Sequence, residues 1–475
     1  MADLTCKLLV IGAGPGGYVC AIRAAQHGVD TILVESGEMG GTCLNVGCIP
    51  SKALIHAAND FYKLRLFATQ SLMGISTSAP EIDQAKTRAW IASVVDGLSK
   101  GVAGLLKKAG VRCMRGEARF RDGKTVFVKS AEGEGRIRAE AIVVATGSEP
   151  VDLPSIPFGG DVLSSTEALS LREIPGRLAV VGAGYIGLEI GTAYAKLGTE
   201  VTIVEAADRI LPQYDAALVA PIQRRLDRLG VRVMTSLKAQ SWSNRSLVAS
   251  RASERPTFIS ADKVLVAVGR RPHTKSLDLE ILRLAMNGPF VRVDDRCRTS
   301  MRGIFAIGDV TGEPMLAHRA MAQGEMVADT IAGRPAIWDK IAVPAVCFTD
   351  PEIVAVGQGA EQVKAAGIDA VVAEFPFRAN GRALASERGD GFVRVLARKD
   401  DGVLLGLQAV GESVSELSAA FGLALEMGAR LEDVAATIHA HPTRSEAFHE
   451  ACQKALGRPL HTYKSELVSR SGGII

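Results

Sequence analysis

The chain is 475 residues long and 47% hydrophobic, with 49 glycines and a net charge of +3 from 55 basic and 52 acidic side chains. That length implies roughly two to four domains, and the near-neutral balance, without a basic stripe interleaved with aromatics, excludes a nucleic-acid-coating or disordered chain. The first apolar run is too short and wrongly flanked for a signal peptide or membrane span, so the expectation is a cytoplasmic protein with no nucleic-acid or membrane partner.

In chain order, Lys7 to Ile11 reads as a strand that enters Gly12-x-Gly14-x-x-Gly17. A helix follows through Ala21 to Gln26, then a strand from Thr31 to Val34 that ends on Glu35. A lone glycine fingerprint is a weak signal, but one that follows a strand, opens a helix and is answered by an acid about twenty residues later meets the context of a dinucleotide site. The first glycine allows the turn, the second admits a pyrophosphate, the third lets helix and strand close up, and the acid accepts ribose hydroxyls.

Next comes Gly40-Gly41-Thr42-Cys43-Leu44-Asn45-Val46-Gly47-Cys48-Ile49-Pro50-Ser51-Lys52. Pro50 suits the first helical position, and helix formers run on to Ala58. Cys48 is therefore expected close to a helix N-terminus, where amide N–H groups and Lys52 one turn on would depress its pKa. The glycines are expected to let the backbone approach something flat and bulky, a cofactor being the natural candidate. A bridge across so short a loop removes little unfolded-state entropy, so Cys43 and Cys48 read as a redox-active disulfide rather than a structural staple. Cys6, Cys20, Cys113, Cys297, Cys347 and Cys452 stand singly without metal-ligand spacing and read as small buried apolar side chains; no metal site is expected.

Thr87 to Ala109 reads as a helix, Lys124 to Val128 as a strand, and Ala141 to Val144 as a buried strand ending in Thr146-Gly147. The fingerprint pattern then repeats: strand Leu178 to Val181, Gly182-x-Gly184-x-x-Gly187, a helix through Ala195, strand Val201 to Val204 and Glu205. The separation from first glycine to acid is the same in both copies, so two dinucleotide sites are implied. Glu205 repels a 2′-phosphate and favours NAD over NADP, although Arg209 works slightly against this. A strand from Lys263 ends in Gly269-Arg270, echoing Thr146-Gly147, and each of these reads as closing a dinucleotide unit. Gly303 to Ile307 leads into Gly308-Asp309 and a helix from Ala317 to Ala332. After a linker-like Ala332 to Pro335, strands at 353–356, 370–377, 392–397 and 403–410 and helices at 413–427 and 431–438 make a separate α+β segment.

The cysteine motif, the paired fingerprints, Thr299 to Asp309 and His439-Ala440-His441-Pro442-Thr443-Arg444-Ser445-Glu446 together resemble the dihydrolipoamide dehydrogenases, the E3 components of 2-oxo acid dehydrogenase complexes among the pyridine nucleotide-disulfide oxidoreductases, from about Leu8 to Leu460. The resemblance implies an α/β homodimer with two Rossmann-like dinucleotide-binding domains and a C-terminal α+β dimerisation domain. Its segments would be 1–148 (FAD-binding, first part), 149–271 (NAD-binding), 272–342 (FAD-binding/central, second part) and 343–475 (interface). It implies FAD in the first fingerprint and NAD in the second. Asp309 would bind the flavin ribitol, Lys52 would sit near flavin N5 paired with Glu189, and Tyr185 would gate the nicotinamide. Cys43 would be the interchange sulfur and Cys48 the one against the flavin. His441, with Glu446 as its partner, would be the acid/base serving the other subunit's disulfide, and the His441-Pro442 bond would be cis; His439 reads as structural.

Read from the residues alone, Lys52 and Glu189 remain equally open as exposed helical charges. Likewise Thr443-x-x-Glu446 fits a helix capping box as well as a dyad. The implied reaction is oxidation of dihydrolipoamide by NAD+, with a lipoyl domain and E2 core of a 2-oxo acid dehydrogenase complex, or a glycine cleavage lipoyl protein, as partner. An NADP-dependent glutathione reductase is the nearest rival, disfavoured by Glu205 and by Ile49-Pro50-Ser51-Lys52. The tail from His461 to Ile475 carries no recognisable motif and is expected to be disordered or to tune docking.

Overall fold

The computed structural model describes residues 3–251 and 254–463; of the tail, 464–475 lie outside the described residues. Contacts divide the chain into two compact units, residues 1–209 with 230–339, and residues 210–229 with 340–475.

The first unit holds the duplicated pattern. Strand Leu4–Ile11 alternates at its start and then runs Leu8 to Ile11 fully buried, as expected of a parallel strand covered on both faces. It lies between Thr31–Glu35 and Gly133–Val144, with Arg112–Arg115 on the outer edge and Ile304–Ala306 beyond Gly133–Val144, all parallel. That is the doubly wound strand order. An antiparallel meander of Glu117–Phe120, Thr125–Ser130 and the first half of Gly133–Val144 extends the same seven-stranded sheet.

The second copy repeats this plan. Arg232–Met234, Glu200–Val204, Arg177–Val181, Lys263–Val266 and Val162–Leu163 form a five-stranded parallel sheet. A three-stranded antiparallel meander, Lys238–Ser243, Ser246–Ser250 and Thr257–Ser260, again follows the edge strand, here between Arg232–Met234 and Lys263–Val266. The second copy is spliced into the first, because Ile304–Ala306 completes the first sheet only after the chain has returned. Outgoing Ser148–Pro150 and returning Arg270–Pro272 pair antiparallel, so both passages between the copies run side by side.

The fingerprints behave alike in detail. Helices Pro15–Gln26 and Tyr185–Lys196 start on Gly14 and Gly184, and Gly12 and Gly182 have φ of 101° and 102°. A Cβ on Gly17 would lie 1.9 Å from the Gly12 carbonyl oxygen, and one on Gly187 2.1 Å from that of Gly182, while Gly14 and Gly184 face open space. Helix Pro15–Gln26 packs on helix Ala317–Ile331, where Asp329 accepts from Arg23 at 3.3 Å and meets the His27 ring at 2.6 Å.

Among the described residues one helix, Gln84–Lys108, is long and apolar enough by composition to cross a membrane, with hydropathy 1.3 in its most apolar window. It also carries Lys86, Arg88, Asp96 and Lys100, starts on an Asp83 cap and buries Ile91, Val102 and Leu106, the behaviour of an amphipathic helix on a sheet.

The second unit is α+β. A five-stranded antiparallel sheet runs in the order Ala345–Cys347, Glu352–Gly357, Leu404–Gly411, Phe392–Arg398, Ala370–Pro376. Its core gathers Val354, Phe375, Phe377, Val393, Leu407, Phe421 and Phe448. The predicted helix 413–427 is a 3-10 turn, Val414–Leu417, followed by Ser418–Glu426, and the next helix stops at Ala436. Helix Ala216–Arg228, placed by sequence in the NAD-binding segment, belongs to this unit by its contacts, with Arg225 paired to Asp350 at 2.9 Å.

Five of the six single cysteines are buried as expected. Cys113 is exposed, because it lies on the edge strand Arg112–Arg115, whose outer side has no neighbour in the sheet.

Gly187→Ala should destabilise the protein in urea unfolding by about 1–3 kcal/mol through overpacking, whereas Gly184→Ala should stay within about 0.5 kcal/mol. Equal shifts for the two would contradict the close-approach reading.

Candidate active site

The cysteine segment folds as two successive helices, Gly41–Val46 and Cys48–Thr69. Cys48 is the first residue of the second helix and Pro50 its third, a correction to the expected start at Pro50. The N-cap is Gly47, whose close packing on the Thr42 carbonyl lets one helix follow the other almost without a linker. Gly40 and Gly41 also let the chain close on itself. A Cβ on Gly41 would lie 2.5 Å from the Gly14 Cα, and the Gly40 N–H donates to the Ala13 carbonyl at 2.9 Å, so the cysteine helix is seated on the first fingerprint. Asn45, between the two cysteines and not singled out by sequence, fixes that seat by donating to the carbonyls of Met39 at 3.1 Å and Gly41 at 3.0 Å.

A cavity of about 600 Å³ opens beside this seat. It starts at Gly12 and Gly14, passes Glu35, and reaches Cys43, Cys48 and Lys52. Thr146, Gly147, Tyr185, Glu189, Arg270 and Asp309 complete its walls. Glu35 is already oriented: one carboxylate oxygen accepts from the Ala13 N–H at 2.6 Å and the other from Gly37 at 2.8 Å. Glu205 repeats this with Ala183 at 2.6 Å and Ala207 at 2.7 Å. Gly182, Gly184, Gly187, Glu205 and Gly269 form the second fingerprint and its closing strand end, outside this cavity.

Cys43 and Cys48 are free thiols close enough to share a hydrogen bond. That bond divides the pair. The Cys43 thiol donates to Cys48 and lowers the Cys48 pKa to about 7, with the charge of Lys52 and the backbone N–H at the helix start adding to the effect against the opposing cost of burial. Cys43 is pushed upward by the same bond and then by burial. The expected depression of Cys48 is present, but its largest cause is the neighbouring thiol rather than the helix terminus. Cys48 remains reachable because it faces the cavity.

Lys52 Nζ donates to Glu189 Oε2 at 2.9 Å, and Glu189 is only 4% exposed. Burial excludes the alternative of an exposed helical carboxylate, since an ionised carboxylate there requires a cation. Tyr185 stands on the cavity wall with part of its ring exposed, and desolvation of its phenol there raises the pKa to about 12. At the far wall Ser148 Oγ donates to Asp309 Oδ2 at 2.5 Å, while Arg270 donates to Ser148 Oγ at 2.8 Å and to its carbonyl at 2.7 Å. Ser148 was missed by sequence reasoning; its signal was its place directly after Thr146-Gly147, where the chain leaves for the second copy.

His441 and Glu446 lie in the second unit. His441 Nδ1 is 2.8 Å from Glu446 Oε1, and Glu446 Oε2 accepts from the Thr443 N–H at 2.7 Å. One carboxylate thus serves both readings. The capping box is incomplete, because helix Glu446–Ala455 starts at Glu446 itself and Thr443 Oγ1 bonds instead to the Ala440 carbonyl and Ser445. Burial pushes the Glu446 carboxyl up, but the Thr443 N–H bond and the bond to His441 outweigh it and hold the group below its usual range. The His441-Pro442 bond is cis.

A glycine-cradled cavity that ends on a split thiol pair defines a disulfide oxidoreductase working with a bound dinucleotide. Residues 6–324 match the pyridine nucleotide-disulphide oxidoreductases, and residues 343–452 match the dimerisation domain of the same family. The chain belongs to this family. A dihydrolipoyl dehydrogenase of Pseudomonas aeruginosa is 56% identical over 459 residues, covering 96% of this chain and 99% of that protein. One from Geobacillus stearothermophilus is 48% identical over 459 residues, covering 96% and 97%. Among solved structures, LpdA from Mycobacterium tuberculosis has a TM-score of 0.86 at 28% identity over 94% of this chain and 99% of that one. The HOCl-induced flavoprotein disulfide reductase RclA from Escherichia coli has 0.83 at 27%, with the same coverage. Dihydrolipoyl dehydrogenases use FAD and NAD+. The first cavity fits such a group, since Gly14 leaves open the space a pyrophosphate needs and Glu35 stands beside it for a ribose.

In the reduced protein, alkylation should fall first on Cys48, with a rate that rises through pH about 7. Cys43→Ala removes the thiol donor and should move that midpoint upward. Mass-mapped labelling against pH measures both, and a midpoint unaffected by the substitution would refute the hydrogen-bond account.

Proposed function

We propose that the chain oxidises dihydrolipoamide to lipoamide and reduces NAD+, as a cytoplasmic homodimer that serves a lipoyl domain and E2 core of a 2-oxo acid dehydrogenase complex or a glycine cleavage lipoyl protein. The observation that carries this reading is the split Cys43–Cys48 pair in one cavity with the first fingerprint and the buried Lys52–Glu189 pair. The relatives named dihydrolipoyl dehydrogenase support it.

In the oxidised protein Cys43 and Cys48 form a disulfide. With Nδ1 of His441 donating to Glu446, Nε2 is the basic ring atom and accepts a proton from one substrate thiol. In the dimer, His441 of one protomer serves the thiol pair of the other. The substrate thiolate attacks Cys43 Sγ, the Cys43–Cys48 bond breaks, and Cys48 leaves as the thiolate that Lys52 and its helix terminus stabilise. The second substrate sulfur attacks the substrate sulfur of the mixed disulfide, so the S–S bond of lipoamide forms, the bond to Cys43 breaks, and Cys43 leaves as a thiol carrying the second thiol's proton.

FAD, held by Gly12, Gly14, Gly17, Glu35, Thr146, Gly147 and Asp309, would supply the two-electron carrier between the thiol pair and NAD+. Lys52, fixed by Glu189, holds a positive charge at the cavity end nearest the thiols, and Tyr185 closes the wall through which nicotinamide would enter. Gly182, Gly184, Gly187, Glu205, Gly269 and Arg270 would hold NAD, with Glu205 as the group that rejects a 2′-phosphate.

Purified holoenzyme should turn over dihydrolipoamide with NAD+ and not glutathione disulfide with NADPH, and Cys43→Ser should abolish that turnover. The reverse preference would make the chain a thiol-defence reductase. His441→Gln should lower kcat for dihydrolipoamide by about 10²- to 10⁴-fold, measured at saturating NAD+; an unchanged kcat would remove His441 from the mechanism.

A further inference from the structure

His441 is 78% exposed, and the residues from 439 to 445 belong to no helix or strand. An imidazole on free coil would lose its bond to Glu446 for much of the time, so something must hold the turn. The second unit supplies a bracket. The short helix Gly381–Ala385 is capped at its start by Asn380, whose Oδ1 accepts from the Ala383 N–H at 3.0 Å. Asn380 is 4% exposed and uses its amide nitrogen to donate to the Thr443 carbonyl at 2.9 Å. At the other end of that helix, Ser386 Oγ accepts from Arg444 at 2.8 Å.

The Arg444 guanidinium also meets Glu412 Oε2, and its side chain is only 15% exposed. Glu412 in turn stands 3.5 Å from Arg388, which reaches Asp350 at 3.5 Å, so the anchor is the end of a chain of ion pairs inside this unit.

We propose that Arg444 is a positioning residue for the His441–Glu446 pair: clamped between Ser386 and Glu412, it fixes the turn that carries His441, with Asn380 holding the same turn at Thr443. The geometry favours this over a surface ion pair of little consequence. A mostly buried guanidinium with two partners loses less freedom per bond than an exposed lysine would, and its backbone lies midway between the imidazole and its carboxylate. Arg444 bonds to Ser386 and Glu412 rather than to the imidazole or its carboxylate, and acts through the backbone of residues 441–446. The catalytic consequence rests on the function proposed above; the anchoring does not.

The test uses the full-length holoenzyme with Arg444→Leu, Arg444→Lys and Glu412→Gln. Amide hydrogen exchange across 440–446, which includes the Thr443 N–H bonded to Glu446, should accelerate in Arg444→Leu by about tenfold or more while helix Glu446–Ala455 beyond its first turn keeps its protection. That reading needs no substrate. The kcat for dihydrolipoamide should fall by about ten- to a hundredfold with an altered pH profile. Oxidation of NADH by ferricyanide, which asks nothing of His441, should be retained. Arg444→Lys should recover part of the loss, and Glu412→Gln combined with Arg444→Leu should be no worse than Arg444→Leu alone. Unchanged exchange at 440–446 would overturn the anchor. So would an equal fall in both activities, which would mark a general structural defect.

Discussion

The site depends on one close approach, the seating of the cysteine helix on the first glycine fingerprint. Gly41 can sit over the Gly14 backbone only because it carries no Cβ, and the Gly40–Ala13 hydrogen bond locks the contact. From that seat the rest follows geometrically. Cys48 begins a 22-residue helix, Lys52 lies one turn along it, and the thiols open into the same cavity as the fingerprint. In the reduced protein the hydrogen bond between the two sulfurs, helped by the charge of Lys52, then decides which of them is the thiolate.

Duplication explains how two dinucleotide-binding copies share one cavity wall. The second copy is an insertion into the first, and its two connections, Ser148–Pro150 and Arg270–Pro272, pair with each other. Ser148 and Arg270 are therefore brought together with Asp309, which arrives only when the first sheet is completed. Tyr185 and Glu189, from the second fingerprint's helix, face back into the first copy's cavity. The wall is shared because the chain crosses twice at the same place.

Much of this was legible in the residues. Glycine fingerprints with their acids are local signals, and both copies appear in the fold with the acid bonded to its own fingerprint backbone. The close-packing glycines were assigned correctly in role, whereas the contacts of Gly41 with Gly14 and of Gly47 with Thr42 were not foreseen, because they are with distant or folded-back backbone that no local pattern encodes. The start of the cysteine helix was displaced for a similar reason: Pro50 is acceptable anywhere in a first turn, and the true boundary is set by Gly47. Ser148, Asn45, Asn380 and Arg444 are ordinary polar residues in sequence, and their importance arises only from partners brought close by the fold. Helix Ala216–Arg228 shows the same limit, since sequence continuity put it with the strands beside it while its contacts put it in the second unit.

The central claim is that electrons enter through the Cys43–Cys48 pair and that Cys48 is the sulfur poised as a thiolate. An anaerobic titration of the oxidised holoenzyme with dihydrolipoamide tests it most directly, following flavin absorbance and counting thiols by labelling. The account predicts that the first electron pair opens the disulfide, yields two new thiols per chain and produces a long-wavelength charge-transfer band that is lost in Cys48→Ser. Bleaching of the flavin with no new thiols and no such band would contradict it.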